Sequence, residues 1–322
     1  MNAGEGERDP IRAAAYGGEG WSPRTEGLRQ EIGRTWGPCG VDSEWSPLKS
    51  VLLHRPGREL EGLDEPNAVQ MLAPVDTSRV VEQHDSLAQA YRDAGVTVHY
   101  VEPDVTPSPN QMFVADLMFM TPEGAIVGRP ASTVRAGEER WVARRLSALG
   151  IPILRSVRGY GTFEGADAAW IGPRTVLLST GLRTNAEGAH QVAGLLEEMG
   201  VEVFRVGLPY GAMHLMGQVR LADRDLAIAW PGRVPYAAVV ALRERGYTVL
   251  FLPDLEEAVK GFALNFVTLS PRRILLPAGN VVTQDFYARA GITCHTVEID
   301  ELLKAAGGMG CLTGILEREP IG

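Results

Sequence analysis

From Leu48 onward one texture returns about every 50 residues, and this period restricts the possible folds more than any other feature of the chain. The unit is a pair of short apolar runs, a helix-period stretch, and one more short apolar run. Leu48 to His54 reads as a strand, Val80 to Ala94 as a helix, and Val96 to Val101 as a strand. Phe113 to Val127 then reads as a hairpin, Glu138 to Leu149 as a helix, and Pro152 to Leu154 as a strand. The order repeats over 163–178, 186–199 and 201–204, over 214–230, 235–245 and 248–252, and over 262–274, 282–290 and 292–297. Identity between the five rounds is negligible, so what recurs is hydrophobic pattern. Units of this kind bury their apolar faces only against their neighbours. Helix ends are signalled by Thr184-Asn185-Ala186-Glu187, which reads as a capping box, and by Gly200 and Gly246 at C-cap positions.

Residues 1 to about 45 lack an apolar period and are rich in Gly, Glu, Arg and Pro. They read as a partly flexible extension, which leaves 46–322 as a single α/β domain. With 45% hydrophobic and 22% charged residues the chain can bury a large core. A net charge of −9 without a dense Lys/Arg run argues against a nucleic-acid partner, and no apolar run is long enough for a membrane helix. The three cysteines, at 39, 294 and 311, are too few and too far apart for a disulfide framework or a zinc cluster, which points to the cytoplasm. The irregular stretch between Pro56 and Pro74 reads as a lid.

Candidate chemistry gathers near the starts of the rounds. Cys311 follows Gly307-Gly308-Met309-Gly310, a flexible, uncrowded setting that suits a reactive thiol better than a core cysteine. A thiol nucleophile needs a base, and six histidines are available. His84 and His190 lie in polar helical surroundings and read as solvated, while His99 and His295 read as structural. His54 can face a site or a turn. His214 opens its round at the place held by Phe113, Phe163 and Phe262 in theirs, so it converges with them if the rounds surround one axis. Asp116, Glu164 and Asp167 are carboxylates in otherwise apolar runs and require a cation, either internal (Arg158 or Arg129) or from a ligand. Paired carboxylates with a histidine and a thiol suit a planar guanidinium.

These residues resemble those of the guanidino-group-modifying, or pentein, superfamily, and within it the dimethylarginine dimethylaminohydrolase branch most. The resemblance covers about residues 48 to 316 and rests on Phe113-Val114-Ala115-Asp116, Arg129-Pro130, Glu164-Gly165-Ala166-Asp167, Arg183 to Gly188, His214-Leu215 and Gly307 to Cys311. It implies a five-bladed α/β propeller, in agreement with the five rounds. It further implies Cys311 as nucleophile, His214 as general acid/base and Glu164 as the carboxylate orienting both histidine and guanidinium. Asp116 becomes the second guanidinium-binding carboxylate, and Arg135 and Arg183 the pair holding an α-carboxylate. Asn110 stands where an acidic residue grips the α-amine, and Phe113 and Asp167 join the substrate-binding set.

Three departures are visible. Ala115 replaces an acidic neighbour of Asp116, Asn110 lacks a charge, and Met216 stands where deiminases and amidinotransferases usually place Asp. The implied activity is hydrolysis of the guanidino group of arginine or an N-substituted arginine, with no metal or organic cofactor. Ammonia or an alkylamine leaves, and a citrulline-type product remains. An amidinotransferase shares the same reaction-centre residues and is the alternative, with a non-catalytic guanidino-compound binder as the third reading. Asp116, where an arginine dihydrolase would carry Asn, counts against that activity. The sequence leaves oligomeric state open, a homo-oligomer included.

Overall fold

In the computed structural model, which describes residues 10–321, each round becomes a three-stranded sheet. The first round supplies β1 (Leu48–Leu53) and β2 (Thr97–Tyr100), and the second β3 (Met118–Thr121), β4 (Gly124–Val127) and β5 (Ile153–Ser156). The third supplies β6 (Ala168–Gly172), β7 (Thr175–Thr180) and β8 (Glu202–Gly207). The fourth supplies β9 (Val219–Asp223), β10 (Leu226–Ala229) and β11 (Thr248–Phe251). The fifth supplies β12 (Val267–Ser270), β13 (Arg273–Pro277) and β14 (Thr293–Val297). In each complete round the first two strands pair antiparallel as a hairpin, and the third pairs parallel with the second. A parallel partner requires a crossover, supplied by the helices Glu139–Ala148, Ala186–Glu198, Tyr236–Glu244 and Val281–Arg289. The helix Thr77–Asp93 plays this part between β1 and β2.

The first round lacks a hairpin partner of its own. The last strand, β15 (Gly314–Arg318), completes it by pairing antiparallel with β1, from Leu48 opposite Arg318 to Leu52 opposite Gly314. The two ends of the repeat are thereby hydrogen-bonded into one sheet, and the architecture is the five-bladed α/β propeller of the pentein class. Central strands such as β4 and β10 are buried along their whole length, as expected where both faces of a sheet are covered. No helix among the described residues is long and apolar enough to cross a membrane.

Some expectations change. The boundary near residue 45 does not mark a change in packing, because Cys39, Val41 and Trp45 are buried in the core. Gly40 exchanges backbone hydrogen bonds with β15, donating to Leu316 at 2.9 Å and accepting from Arg318 at 2.9 Å. The segment covers a strand whose other edge would otherwise be bare. Residues 1–9 of the expected extension lie outside the described residues. The helix cap is Asn185, whose side chain accepts from Gly188 N at 2.8 Å, while the Thr184 hydroxyl is turned inward to Asp167. His84 is fully buried, contrary to the expectation of a solvated side chain, because its face of the helix Thr77–Asp93 packs inward with Val80, Leu87 and Tyr91. The stretch read as a lid is tied down by Glu59 on His54 (3.0 Å) and by the Asn110 amide on Val69 O (2.7 Å).

Candidate active site

Five polar side chains stand within five residues upstream of the first strand of their sheets: Asp116, Glu164, His214, Asn265 and Cys311. The short turns leading into these strands converge, bringing Asp116, Glu164 and His214 together and Asn265 against Cys311. Asp116 lies on the one-turn helix Val114–Leu117 just before β3, and not within a strand as its apolar neighbours had suggested. Glu164 precedes a 3-10 turn, Gly165–Asp167, that packs tightly under it. A Cβ at Gly165 would lie 2.0 Å from Met118 O, so this position accepts no side chain. Cys311 sits in the one-turn helix Met309–Leu312.

The glycines before Cys311 serve close approach rather than turning. None of Gly307, Gly308 and Gly310 has a positive φ, and the left-handed residue is Ala306 at 72°. A Cβ at Gly307 would meet the Phe113 ring at 2.3 Å, and one at Gly310 would meet Asn265 Oδ1 at 2.7 Å. The missing side chains allow Asn265 to lie against the cysteine turn. Its Oδ1 accepts from Gly310 N (2.7 Å) and Cys311 N (3.3 Å), and its Nδ2 donates to Cys311 Sγ at 3.0 Å. Asn265 escaped the sequence reading. The available signal was an Asn in the apolar run Ala263-Leu264-Asn265-Phe266-Val267, in register with the other site residues.

Opposite the thiol, His214 Nε2 lies 2.6 Å from Glu164 Oε2 and 3.8 Å from Asp116 Oδ1. Asp116 Oδ1 is buried and has no hydrogen-bond partner, a costly condition for a carboxylate oxygen unless a ligand supplies the donor. One carboxylate oxygen each of Asp116 and Glu164 and a ring nitrogen of His214 lie within 4.8 Å of one another, close enough to ligate a metal ion. The Arg135 guanidinium lies 2.6 Å from Asp116 and 3.7 Å from Glu164, so a divalent ion here would sit beside a fixed positive charge. A weakly hydrated, planar organic cation suits the place better.

The ionisation states follow from these contacts. Burial alone would lower the His214 pKa, but the charge of Asp116 and the hydrogen bond to Glu164 outweigh it and raise the value to about 9. Burial would raise that of Glu164, yet the bond to His214 and the charges of Arg135 and Arg183 hold it below the ordinary carboxylate range. The Cys311 thiol is pushed up to about 11, first by burial and then by Asp116, with the Asn265 amide opposing both. The resting pair at neutral pH is therefore imidazolium and thiol.

The expected substrate-binding residues divide. Arg183, Asn110 and Phe113 line a small polar chamber of about 20 Å³ together with Asp116, His214, Gln70 and Cys311. Arg183 is 3.5 Å from Glu164. Arg135 borders the same chamber, but its charge is already engaged by Asp116 and by Glu138 at 2.8 Å. It is not a free cation awaiting a carboxylate, because three buried acids surround it and require its charge. Asp167 does not reach the chamber. Its oxygens accept from Ser179 (2.7 Å), Thr184 (2.6 Å) and the backbone N of Leu215 (3.1 Å), so its contribution is to anchor the turn carrying His214. The internal cations serving Glu164 are Arg135 and Arg183, neither Arg129 nor Arg158.

The fold is that of the pentein class, and comparison with known proteins places the chain among hydrolases acting on C–N bonds of linear amidines. The family model "N,N dimethylarginine dimethylhydrolase, eukaryotic" matches residues 68–275, and the chain belongs to this family. It is 26% identical over 269 residues to the N(G),N(G)-dimethylarginine dimethylaminohydrolase of Pseudomonas aeruginosa, covering 83% of this chain and 98% of that one. The protein of the same name from Streptomyces coelicolor is 29% identical over 268 residues, covering 83% and 96%. Among solved structures, a Cys-to-Ser mutant of the Pseudomonas aeruginosa enzyme complexed with citrulline superposes with a TM-score of 0.71 at 23% identity. That match covers 85% of this chain and 100% of the other and establishes the shared fold.

Proposed function

We propose that the chain hydrolyses the guanidino group of arginine or an N-substituted arginine through a covalent Cys311 adduct, releasing ammonia or an alkylamine and leaving a ureido product. The observation carrying this reading is the buried Asp116 Oδ1, which has no hydrogen-bond partner, lies 3.8 Å from His214 in a chamber that Cys311 also lines, and leaves one carboxylate acceptor for an incoming N–H donor. The Asn110 and Arg183 side chains bordering the same chamber offer neutral and cationic groups to an amino-acid end. An alkyl guanidinium brings a positive charge beside a thiol held protonated by burial and by Asp116, so binding itself favours the thiolate.

The thiolate attacks the guanidino carbon, forming a C–S bond, while Asn265 Nδ2 donates to the sulfur at rest. His214, protonated in the resting site, passes its proton to the departing nitrogen as the C–N bond breaks. Neutral His214 then takes a proton from water. The hydroxyl adds to the carbon, the C–S bond breaks, and the ureido product and free thiol remain. The thiol proton, released to solvent when the thiolate forms, is taken up by the departed amine, so the charge that arrived on the guanidinium leaves with the amine and the cycle balances with one water consumed. Cys311→Ser should abolish product formation while leaving guanidine binding within about threefold. Turnover retained in that variant, measured as ureido product by mass spectrometry, would reject the covalent route.

A further inference from the structure

Behind the active-site turns lies an internal cavity of about 60 Å³, and the first strands of four sheets, β3, β6, β9 and β12, contribute to its wall together with β15. Gly310, the residue before Cys311, belongs to that wall. Among the described residues only Glu44 and Arg220 bring charge to it. Arg220 lies on β9, the strand that follows the His214 turn, and is no part of the polar chamber where substrate would bind. Its partly buried guanidinium bonds a backbone carbonyl instead of an acid: Nη2 donates to Phe266 O, and Cζ stands 5.7 Å from the centre of the Phe266 ring. Glu44 attracts it through space, but the Glu44 carboxylate is itself engaged by the backbone N of Trp170 at 3.2 Å. A guanidinium held by a carbonyl keeps much of its positive charge uncompensated.

The carbonyl it holds stands next to the thiol's own partner. Phe266 follows Asn265, whose side chain accepts from Gly310 N and Cys311 N and donates to the sulfur. Phe266 is fully buried and meets Tyr287 edge-on at 5.8 Å. A second link, Thr268 Oγ1 donating to Leu221 O at 2.7 Å, keeps β9 and β12 in step. Arg220 thus joins the sheet after His214 to the sheet after Asn265, at the residue beside the sulfur's hydrogen-bond donor.

Its charge also reaches the thiol. Arg220 favours the thiolate, and a thiolate in turn favours the guanidinium. Burial lowers the Arg220 pKa, yet a guanidinium stays protonated at neutral pH. On the chamber side Asp116 opposes the thiolate, and His214 stands beside Asp116. The other titratable groups near Arg220 are committed elsewhere. Tyr91 bonds Thr313 at 2.7 Å, Tyr287 donates to Ala263 O at 3.1 Å, and burial raises the pKa of both phenols above the ordinary value. Arg318 donates to Ser46 O at 2.6 Å.

We propose that Arg220 is a positioning residue for the cysteine, fixing Asn265 against the sulfur through the Phe266 carbonyl and setting behind the turn a positive charge that favours the thiolate. This rests on Cys311 as the nucleophile of the reading above and adds to it a residue outside the substrate chamber.

The test reads the thiol without turnover. Alkylation of Cys311 by iodoacetamide at pH 8 is followed in the intact protein by peptide mass spectrometry, which separates it from Cys39 and Cys294. Below the thiol pKa the rate follows the thiolate fraction, so a threefold fall corresponds to a rise of about half a pKa unit. Arg220→Gln keeps a donor for Phe266 O but removes the charge, and it should lower the rate at least threefold. Arg220→Lys keeps the charge and should lose less. A Gln variant that retains more than a third of the wild-type rate, or a Lys variant that loses as much as the Gln variant, overturns the assignment. Should Arg220→Gln fail to fold, Glu44→Gln decides. Removing the acid that faces Arg220 should raise the rate at least twofold, and any smaller change overturns the assignment. If the wild type makes no ureido product, the hydrolytic reading fails by itself, and the alkylation rates still judge Arg220.

Discussion

His84 and His214 are both sealed from solvent, at 0% and 4% exposure, yet their proton affinities move in opposite directions. His84 lies between the helix Thr77–Asp93 and the first sheet, with both ring nitrogens unbonded and a tilted Tyr100 ring 6.3 Å away. Burial drives its pKa down to about 3. His214 meets the same burial at the mouth of the propeller axis, but Asp116 and Glu164 reverse the sign and carry it to about 9. Desolvation penalises the charged form in both regions, and only a carboxylate partner can overcome it. A buried histidine is therefore a functional candidate when acids from other blades face it, and a packing element when they do not.

The comparison breaks most visibly in activity. His214→Asn should reduce kcat by about 10²–10⁴ while leaving guanidine binding largely intact, since proton transfer to the leaving nitrogen is lost. Activity within tenfold of the wild type would remove His214 from the reaction. His84→Leu should leave kcat unchanged.

The pH profile tests the sign of the His214 shift. With His214 near 9 and Cys311 near 11 in the free protein, the reactive form has lost one of the two protons. kcat/KM should rise about tenfold per pH unit through neutrality, level near pH 9, and fall above about 11. An acid limb centred near the ordinary histidine value of about 6.5 would show that the carboxylates do not hold the imidazolium.

A smaller effect is expected at Asn265, which touches the sulfur without exchanging a proton. Asn265→Ala should lower kcat/KM about 10- to 100-fold at neutral pH and move the alkaline limb upward, because its hydrogen bond lowers the thiol pKa. An unmoved limb would confine Asn265 to holding the backbone of the cysteine turn.

The smallest effect is on stability. His84 is neutral in the folded chain down to about pH 3, whereas the unfolded chain takes up that proton below about 6.5. Its contribution is complete above about pH 6.5 and is lost as pH falls toward 3, by at most a few kcal/mol. His214 works in the reverse sense, contributing fully below about 6.5 and losing that contribution as pH rises through 9. Urea unfolding of His84→Leu at pH 5 and pH 7 should show a flatter pH dependence than the wild type. Equal slopes would mean that the buried imidazole is protonated in the folded protein.

Much of this architecture is legible in the residues. Hydrophobic periodicity located the hairpins and their crossover helices, because an apolar face must be buried whatever the long-range pairing. The position of His214 at the start of its round, matched by Phe113 and Phe163, anticipated convergence on an axis. Local pattern could not reveal that β15 closes the first sheet, since a strand's partner some 260 residues away leaves no periodic trace in either segment. Nor could it separate Asp167 from Glu164, three residues apart in one apolar run. Their fates depend on which donors face them, Ser179 and Thr184 of their own blade to Asp167 and His214 of the next blade to Glu164.

What the sequence determined by itself is the set of reactive types, the period that brings them together, and a glycine-rich approach to Cys311. Tertiary structure decided what each is joined to. It turned the glycines from a flexible, uncrowded setting into clearance for Phe113 and Asn265, and set Arg135 within reach of Asp116, Glu138 and Glu164 as an internal counter-charge. It also opened an apolar cavity beside the thiol. The reason is physical: propensity and periodicity act along the chain, whereas desolvation, charge pairing and excluded volume act across it.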